Sequence, residues 1–187
     1  MLFELARKWT VDNGDVPEDY YCPNSAVFQT RLIKMQTELG QTKDEVLKKI
    51  FPLIVAVAGE IGNNSFDHNL GNWPDTPGVF FAYDLKERTI VLADRGQGIL
   101  TTLKRAIPGL KNDSEALKAA FTEIISGRAP EARGNGLKFV REVIIKNRMR
   151  LNFQTGNAYL ELKLNNPNLL INNSEASFRG CLASIKF

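Results

Sequence analysis

The sequence predicts an α+β fold, a two-layer α/β sandwich with helices over a mixed, mainly antiparallel sheet. Three observations carry this. Helical-period apolar patterns gather in blocks, one before residue 70 and another between 99 and 146. Two β-rich runs, 79–83 and 89–93, are parted only by a polar turn, which is hairpin spacing. Three more strand-like runs, 150–154, 159–164 and 182–185, close the chain. Helices segregated from hairpins favour this sandwich over a doubly wound parallel sheet, in which strand and helix alternate.

Asn24 or Ser25 caps a first clear helix that reaches about Leu39, with Gly40 placed to end it. Thr42 is the expected cap of a longer helix that starts near Lys43 and carries Val46, Leu47, Ile50 and Phe51 at helical spacing. Pro52 should kink or restart that helix, because it lacks an N–H and its ring crowds the preceding turn. Residues 53–58 are apolar on every side and read as buried helix that turns polar at Glu60. A loop over 71–78 precedes the two hairpin strands. Residues 99–107 and 114–125 then read as helices parted by Pro108 and Gly109, the second capped by Asp113 or Ser114. A loop rich in Gly, Arg, Pro and Ala leads to a helix over 135–146, and the closing strands follow. Residues 1–43 read as an N-terminal helical arm and 44–187 as the main domain. Trp9, Tyr20, Tyr21 and Phe28 indicate that part of the arm packs on the domain or mediates dimerisation.

A chain of 187 residues, 43% hydrophobic and 24% charged, suffices for one compact domain with a real core. Its 24 Lys and Arg against 21 Asp and Glu leave a net charge of +3, too mild for a nucleic-acid partner without a basic stripe. No stripe is visible: the densest cluster, Lys146, Arg148 and Arg150, reads as a solvated helix end and turn. Cys22 and Cys181 are far apart, which suggests neither a zinc site nor a disulfide framework but buried thiols in a reducing compartment. The first residues are too quickly charged for a signal peptide, and the longest apolar run, 50–58, is well short of a bilayer span. A cytoplasmic protein with no membrane partner is expected.

Three groups of residues carry chemistry. Glu60, Asn64 and Asp67, spaced i, i+4, i+7, place two carboxylates and an amide on one helix face that continues from an apolar segment. Burying such groups without partners is costly, so this is either a ligand cleft or an exposed amphipathic face. Asp94, Gly96 and Gly98 follow a strand directly, as an ordinary turn would, or as a turn that lets backbone approach a flat ligand. Gly134, Gly136 and Leu137 open a helix whose free N–H groups and dipole attract phosphate, with Arg133 just before them. No Gly-x-x-x-x-Gly-Lys-Ser/Thr occurs, which excludes a Walker-type loop. The glycine pair at 134 and 136 lacks a third glycine and follows helix and loop, which argues against a dinucleotide-binding unit.

In order and spacing the three groups resemble the gyrase, histidine kinase and MutL superfamily, abbreviated GHKL. Glu60-Ile-Gly-Asn-Asn64-Ser-Phe-Asp67 is similar to its N box, Asp94-Arg-Gly96-Gln-Gly98-Ile99 to its G1 box, and Gly134-Asn135-Gly136-Leu137 to its G2 box. The similarity spans about residues 44–187, with a variable lid at about 99–133. It implies the Bergerat ATP-binding fold, with ATP or ADP and Mg2+ as ligands. By that resemblance Asn64 coordinates magnesium, Asp94 accepts a hydrogen bond from the adenine amino group, and Gly96 and Gly98 let the backbone pass the base. Gly134, Asn135, Gly136 and Leu137 contact the phosphates, and Glu60 is the general base. Asp67, Ile99 and Arg133 fall in the same ligand-binding set, with Lys104 and Arg128 as further lid cations. His68, the only histidine, has a structural or adenosine-side role as the alternative to a catalytic one. One departure stands out: many members carry a Gly-Thr pair near the C-terminus, and here it reads Gly180-Cys181.

The resemblance points to a kinase-type domain that passes the γ-phosphate to a histidine or serine of a partner protein. Two alternatives stand beside it: an ATPase switch, and a nucleotide-dependent binding module with little turnover. A histidine acceptor in trans is not available from a second copy of the chain, save His68 itself.

Overall fold

The computed structural model describes residues 1–12, 14–123, 135–166 and 168–187. Helix α1 (Leu2–Asp12) opens the chain, and the short strand β1 (Tyr21–Cys22) follows a 3-10 turn at Glu18–Tyr20. Helix α2 (Ser25–Gly40) is capped as expected by Asn24, whose side chain accepts the N–H of Val27 at 3.0 Å. Helix α3 (Glu45–Asn69) is capped by Asp44 instead of Thr42. The Asp44 carboxylate accepts the N–H groups of Val46 and Leu47 at 2.8 and 3.1 Å, and Thr42 accepts the N–H of Asp44 at 3.2 Å. Pro52 lies inside α3 without ending it. Packing of α3 against α2 and α6 holds the helix together across the missing hydrogen bond.

Strands β2 (Val79–Asp84) and β3 (Thr89–Asp94) form the expected hairpin. Helix α4 (Gly98–Leu103) is shorter than the 99–107 read from the pattern, since residues 104–106 have already left the helix as a turn. Helix α5 (Asp113–Thr122) is capped by Asn112, which accepts the N–H of Glu115 at 2.9 Å, in place of Asp113 or Ser114. Helix α6 (Gly136–Lys146) leads into β4 (Arg150–Lys163), and β5 (Leu170–Lys186) ends the chain. No described helix is long and apolar enough to cross a membrane.

The sheet order is β1-β2-β3-β5-β4, and every pairing among the described residues is antiparallel, so the mixed sheet expected from sequence is not found. The reason is connectivity: β5 returns between β3 and β4 and runs against both. Strand β4 also doubles back on itself. Arg150 Nε lies 3.3 Å from Glu161 Oε1, whereas a straight strand would part them by about 36 Å. Buried positions change phase there, from Leu151, Phe153 and Thr155 to Ala158, Leu160 and Leu162. Gly156, with φ of 54°, supplies the left-handed residue that a tight turn needs. The expected strands 150–154 and 159–164 are therefore the two limbs of β4. The first pairs with the end of β5 and the second with its start, which lies well before the expected residue 182.

Alternate residues of the sheet feed two apolar layers. Val79, Phe81, Ile90, Leu92 and Ile185 face the helices, packing with Phe28, Ile54, Leu117 and Val140 in the main core. Phe80, Ala82, Val91 and Leu182 face the other way and are covered by Ala6 and Trp9 of α1. The N-terminal arm is thus divided: α2 packs on α3 in front and α1 covers the back of the sheet. Arg95 fastens α1 there, its guanidinium donating to the Trp9 carbonyl at 3.3 Å and to the Asp75 carboxylate.

Candidate functional site

A cavity of about 550 Å³, solvent at its mouth included, opens between α3, α4 and the sheet. One wall is α3, whose residues Ile61, Asn64, Ser65 and His68 recur at helical spacing along the cavity. Gly98, Ile99, Thr102 and Leu103 of α4 form a second wall. Ala120, Leu137 and Phe153 add apolar surface, and Asp94 and Cys181, directly paired in the β3–β5 register, contribute polar atoms from the sheet.

Asp94 ends β3 and is only 2% exposed. Its carboxylate accepts the Ser65 hydroxyl at 2.7 Å on one oxygen and the Gly96 N–H at 2.8 Å on the other. Burial pushes its carboxyl above the ordinary range, against the pull of Ser65 and of the N–H groups of Gly96 and Cys181. Burial, and then the neighbouring Asp94 carboxylate, raise the Cys181 thiol well above its usual value. An acidic group in such an apolar recess can still accept a hydrogen bond from an N–H of a flat ligand, since a carboxylate has about four lone-pair sites and these three donors leave one.

The turn after Asp94 is locked by Asn69. The carboxamide of Asn69 donates to the Ser65 carbonyl at 2.8 Å and accepts the N–H of Gln97 at 2.8 Å. A Cβ on Gly96 would sit 2.1 Å from Asn69 Nδ2, so this glycine makes room for α3 and does not line the cavity. Thr155 performs a similar office for Ile99: its hydroxyl accepts the Ile99 N–H at 3.2 Å and donates to the Gly180 carbonyl at 3.0 Å.

Glu60 and Asn64 meet the start of α6. A Cβ on Gly136 would lie 2.3 Å from Glu60 Oε2 and 3.4 Å from Asn64 Nδ2. Asn135, at the N-cap, makes no side-chain capping bond to the first turn of α6. A helix N-terminus, the Asn64 carboxamide and the Glu60 carboxylate therefore lie together at one side of the cavity.

Of the residues singled out from sequence, Asn64, Asp94, Gly98, Ile99 and Leu137 line the cavity, and Glu60, Asn135 and Gly136 lie beside it. Asp67 is exposed and not part of the lining. The stripe that faces the cavity runs through Ile61, Asn64, Ser65 and His68, and Asp67 falls on its flank. Lys104 is exposed at the C-cap of α4. Arg128, Arg133 and Gly134 lie outside the described residues. Sequence reasoning missed Ser65, Asn69 and Thr155. Ser65 and Asn69 had a signal, the same helical spacing from Ile61, whereas Thr155 is recognisable only through its pairing with Cys181. Among the described residues no group of three or more His, Cys, Asp or Glu could hold a metal by itself. No protein-family model and no curated protein matches the chain.

Proposed function

We propose that the chain is a magnesium-dependent ATP-binding domain of the GHKL type, with the Bergerat arrangement, that transfers the γ-phosphate to a partner protein. The observation that carries this reading is the convergence on one cavity of Asn64, Asp94, Ile99 and Leu137, which come from three separate stretches of chain. The adenine ring fits between Ile61, Ile99, Leu103 and Phe153, with its amino group donating to Asp94. Phosphates fall toward the N-terminus of α6, where the first-turn N–H groups and the helix dipole favour negative charge. Asn64 offers an amide oxygen to Mg2+, a hard cation that completes its shell from phosphate and water. When bound, magnesium neutralises charge on the phosphates. Glu60, beside Gly136, is placed to take the proton of the attacking group.

Hydrolysis as a conformational switch is the second reading. It is favoured by Arg95, the neighbour of Asp94 in the chain, which holds α1 on the far face of the sheet and gives the site a direct mechanical link to it. Incubation with γ-labelled ATP and Mg2+, alone and with extract of the source cells, separates the two. Transfer predicts label on a second protein. Release of phosphate without labelled protein supports the switch, and no turnover in either condition counts against both.

A further inference from the structure

We propose that a basic groove at the end of the sheet, where β4 begins and ends, docks an acidic segment of a partner protein. The groove forms where three pieces of chain meet: 148–150 entering β4, 163–164 leaving it, and 186–187 at the end of β5. It shares no residue with the cavity and does not depend on what the cavity binds. Its lining holds four cations, Arg148, Arg150, Lys163 and Lys186, and no carboxylate side chain. A free carboxylate at Phe187 would still leave an excess of cations. The register sets Arg150 opposite Lys186, and the turn in β4 brings Lys163 back beside Arg150. Like charges opposed in a sheet destabilise it, so the requirements of folding do not account for Arg150 facing Lys186.

Internal compensation is incomplete. Glu161 pairs with Arg150 at 3.3 Å, and Lys186 donates to the Glu87 carbonyl at 3.2 Å. Among the described residues, neither Arg148 nor Lys163 has a carboxylate in ion-pair range, and both are exposed. Leu164, 38% exposed, and Phe187, partly exposed, place apolar surface between the charges. This mixture of cations and apolar surface, in a shallow and largely open groove, decides the class of ligand. A nucleic acid needs a long run of cations along its phosphates, and here there are four in one short groove, of which Arg150 is already paired with Glu161. Interfacial membrane binding needs a broad apolar face, and Leu164 and Phe187 alone do not supply one. An acidic peptide with an apolar side chain satisfies both halves, with carboxylates on the Lys and Arg heads and the apolar group between Leu164 and Phe187.

The test uses the whole chain and a fluorescein-labelled peptide of about eight residues, glutamates around one central leucine. Saturable binding by fluorescence anisotropy at low salt is expected, weakening as salt rises. The double variant Arg148→Glu with Lys163→Glu should weaken it by about tenfold or more, with an unchanged thermal midpoint because both side chains are exposed. A second pair, Lys8→Glu with Lys34→Glu, on α1 and α2 and outside the groove lining, should leave binding intact. Absence of saturable binding, or equal affinity in the double variant, overturns the proposal. Tighter binding of a labelled single-stranded oligonucleotide or of phosphatidylserine vesicles than of the peptide does so as well.

Discussion

Replacing Asp94 by Asn tests the adenine contact with little disturbance of the fold. The side chains are nearly isosteric, and the retained oxygen can still accept the Gly96 N–H, which lies 2.8 Å away. The new NH2 then faces Ser65, whose hydroxyl can rotate from donor to acceptor. Removing a buried charge also removes its desolvation cost, so the loss of stability should stay below about 1 kcal/mol. Binding should suffer much more. The amide presents a donor where the adenine amino group also donates, and a hydrogen bond to a charged group contributes about 1.5–3 kcal/mol. The expected loss in ATP affinity is roughly 10- to 150-fold. Calorimetric titration of wild type and Asp94→Asn with ATP and Mg2+ measures it, with urea unfolding as the control for folding. Undiminished ATP binding in a folded Asp94→Asn protein would refute the assignment, as would equal affinity of the wild type for ATP and GTP.

Four further outcomes are expected. Asn64→Ala should abolish the gain in ATP affinity that Mg2+ brings, while Glu60→Ala should keep ATP bound and lose turnover by about 100-fold, both readable from titration and steady-state rates. The purified protein should not label itself on histidine with γ-labelled ATP, because His68 lies on the same rigid helix as Glu60; acid-labile label lost in His68→Gln would contradict this. Gly62→Ala should cost about 1–3 kcal/mol, since its Cβ would fall 2.1 Å from the buried Phe28 ring; an unchanged melting temperature would contradict the close α2–α3 approach. Burial raises the Asp94 carboxyl above its ordinary 3.8, so the folded state binds that proton more strongly than the unfolded chain. Its contribution to stability is complete below the ordinary value and is lost as pH rises through the raised one. Urea midpoints of wild type and Asp94→Asn compared across acid pH should diverge in that window, and parallel profiles would show that Asp94 titrates normally.

What the sequence made legible was local. The Asn24 cap, the β2–β3 hairpin, the polar turn of α3 at Glu60 and the start of α6 all depend on neighbours a few residues away, and each could be read from spacing. What it hid depends on distant partners. Helix α1 carries Leu2, Ala6 and Trp9 at helical spacing, yet that pattern alone does not say that the back of the sheet is apolar and needs cover. Asp44 outcompetes Thr42 as the α3 cap because of where the chain enters the helix, and both residue types are good caps. Asp67 kept the expected spacing from Glu60, but the cavity faces a stripe turned toward Ser65, so the spacing was right and the inferred surroundings were not. Lys186 joins Arg150 through the β4–β5 register and Lys163 only after β4 doubles back, which no count of nearby charges reveals.

The central claim is that the cavity between α3, α4 and the sheet holds the base of ATP. A crystal structure with Mg2+ and a non-hydrolysable ATP analogue tests it most directly. The expected result places the adenine against Ile61, Ile99 and Phe153 with its amino group in hydrogen-bond range of Asp94, and the phosphates at the start of α6 near Asn64. An analogue bound elsewhere, or a cavity still empty at saturating analogue, would contradict the account.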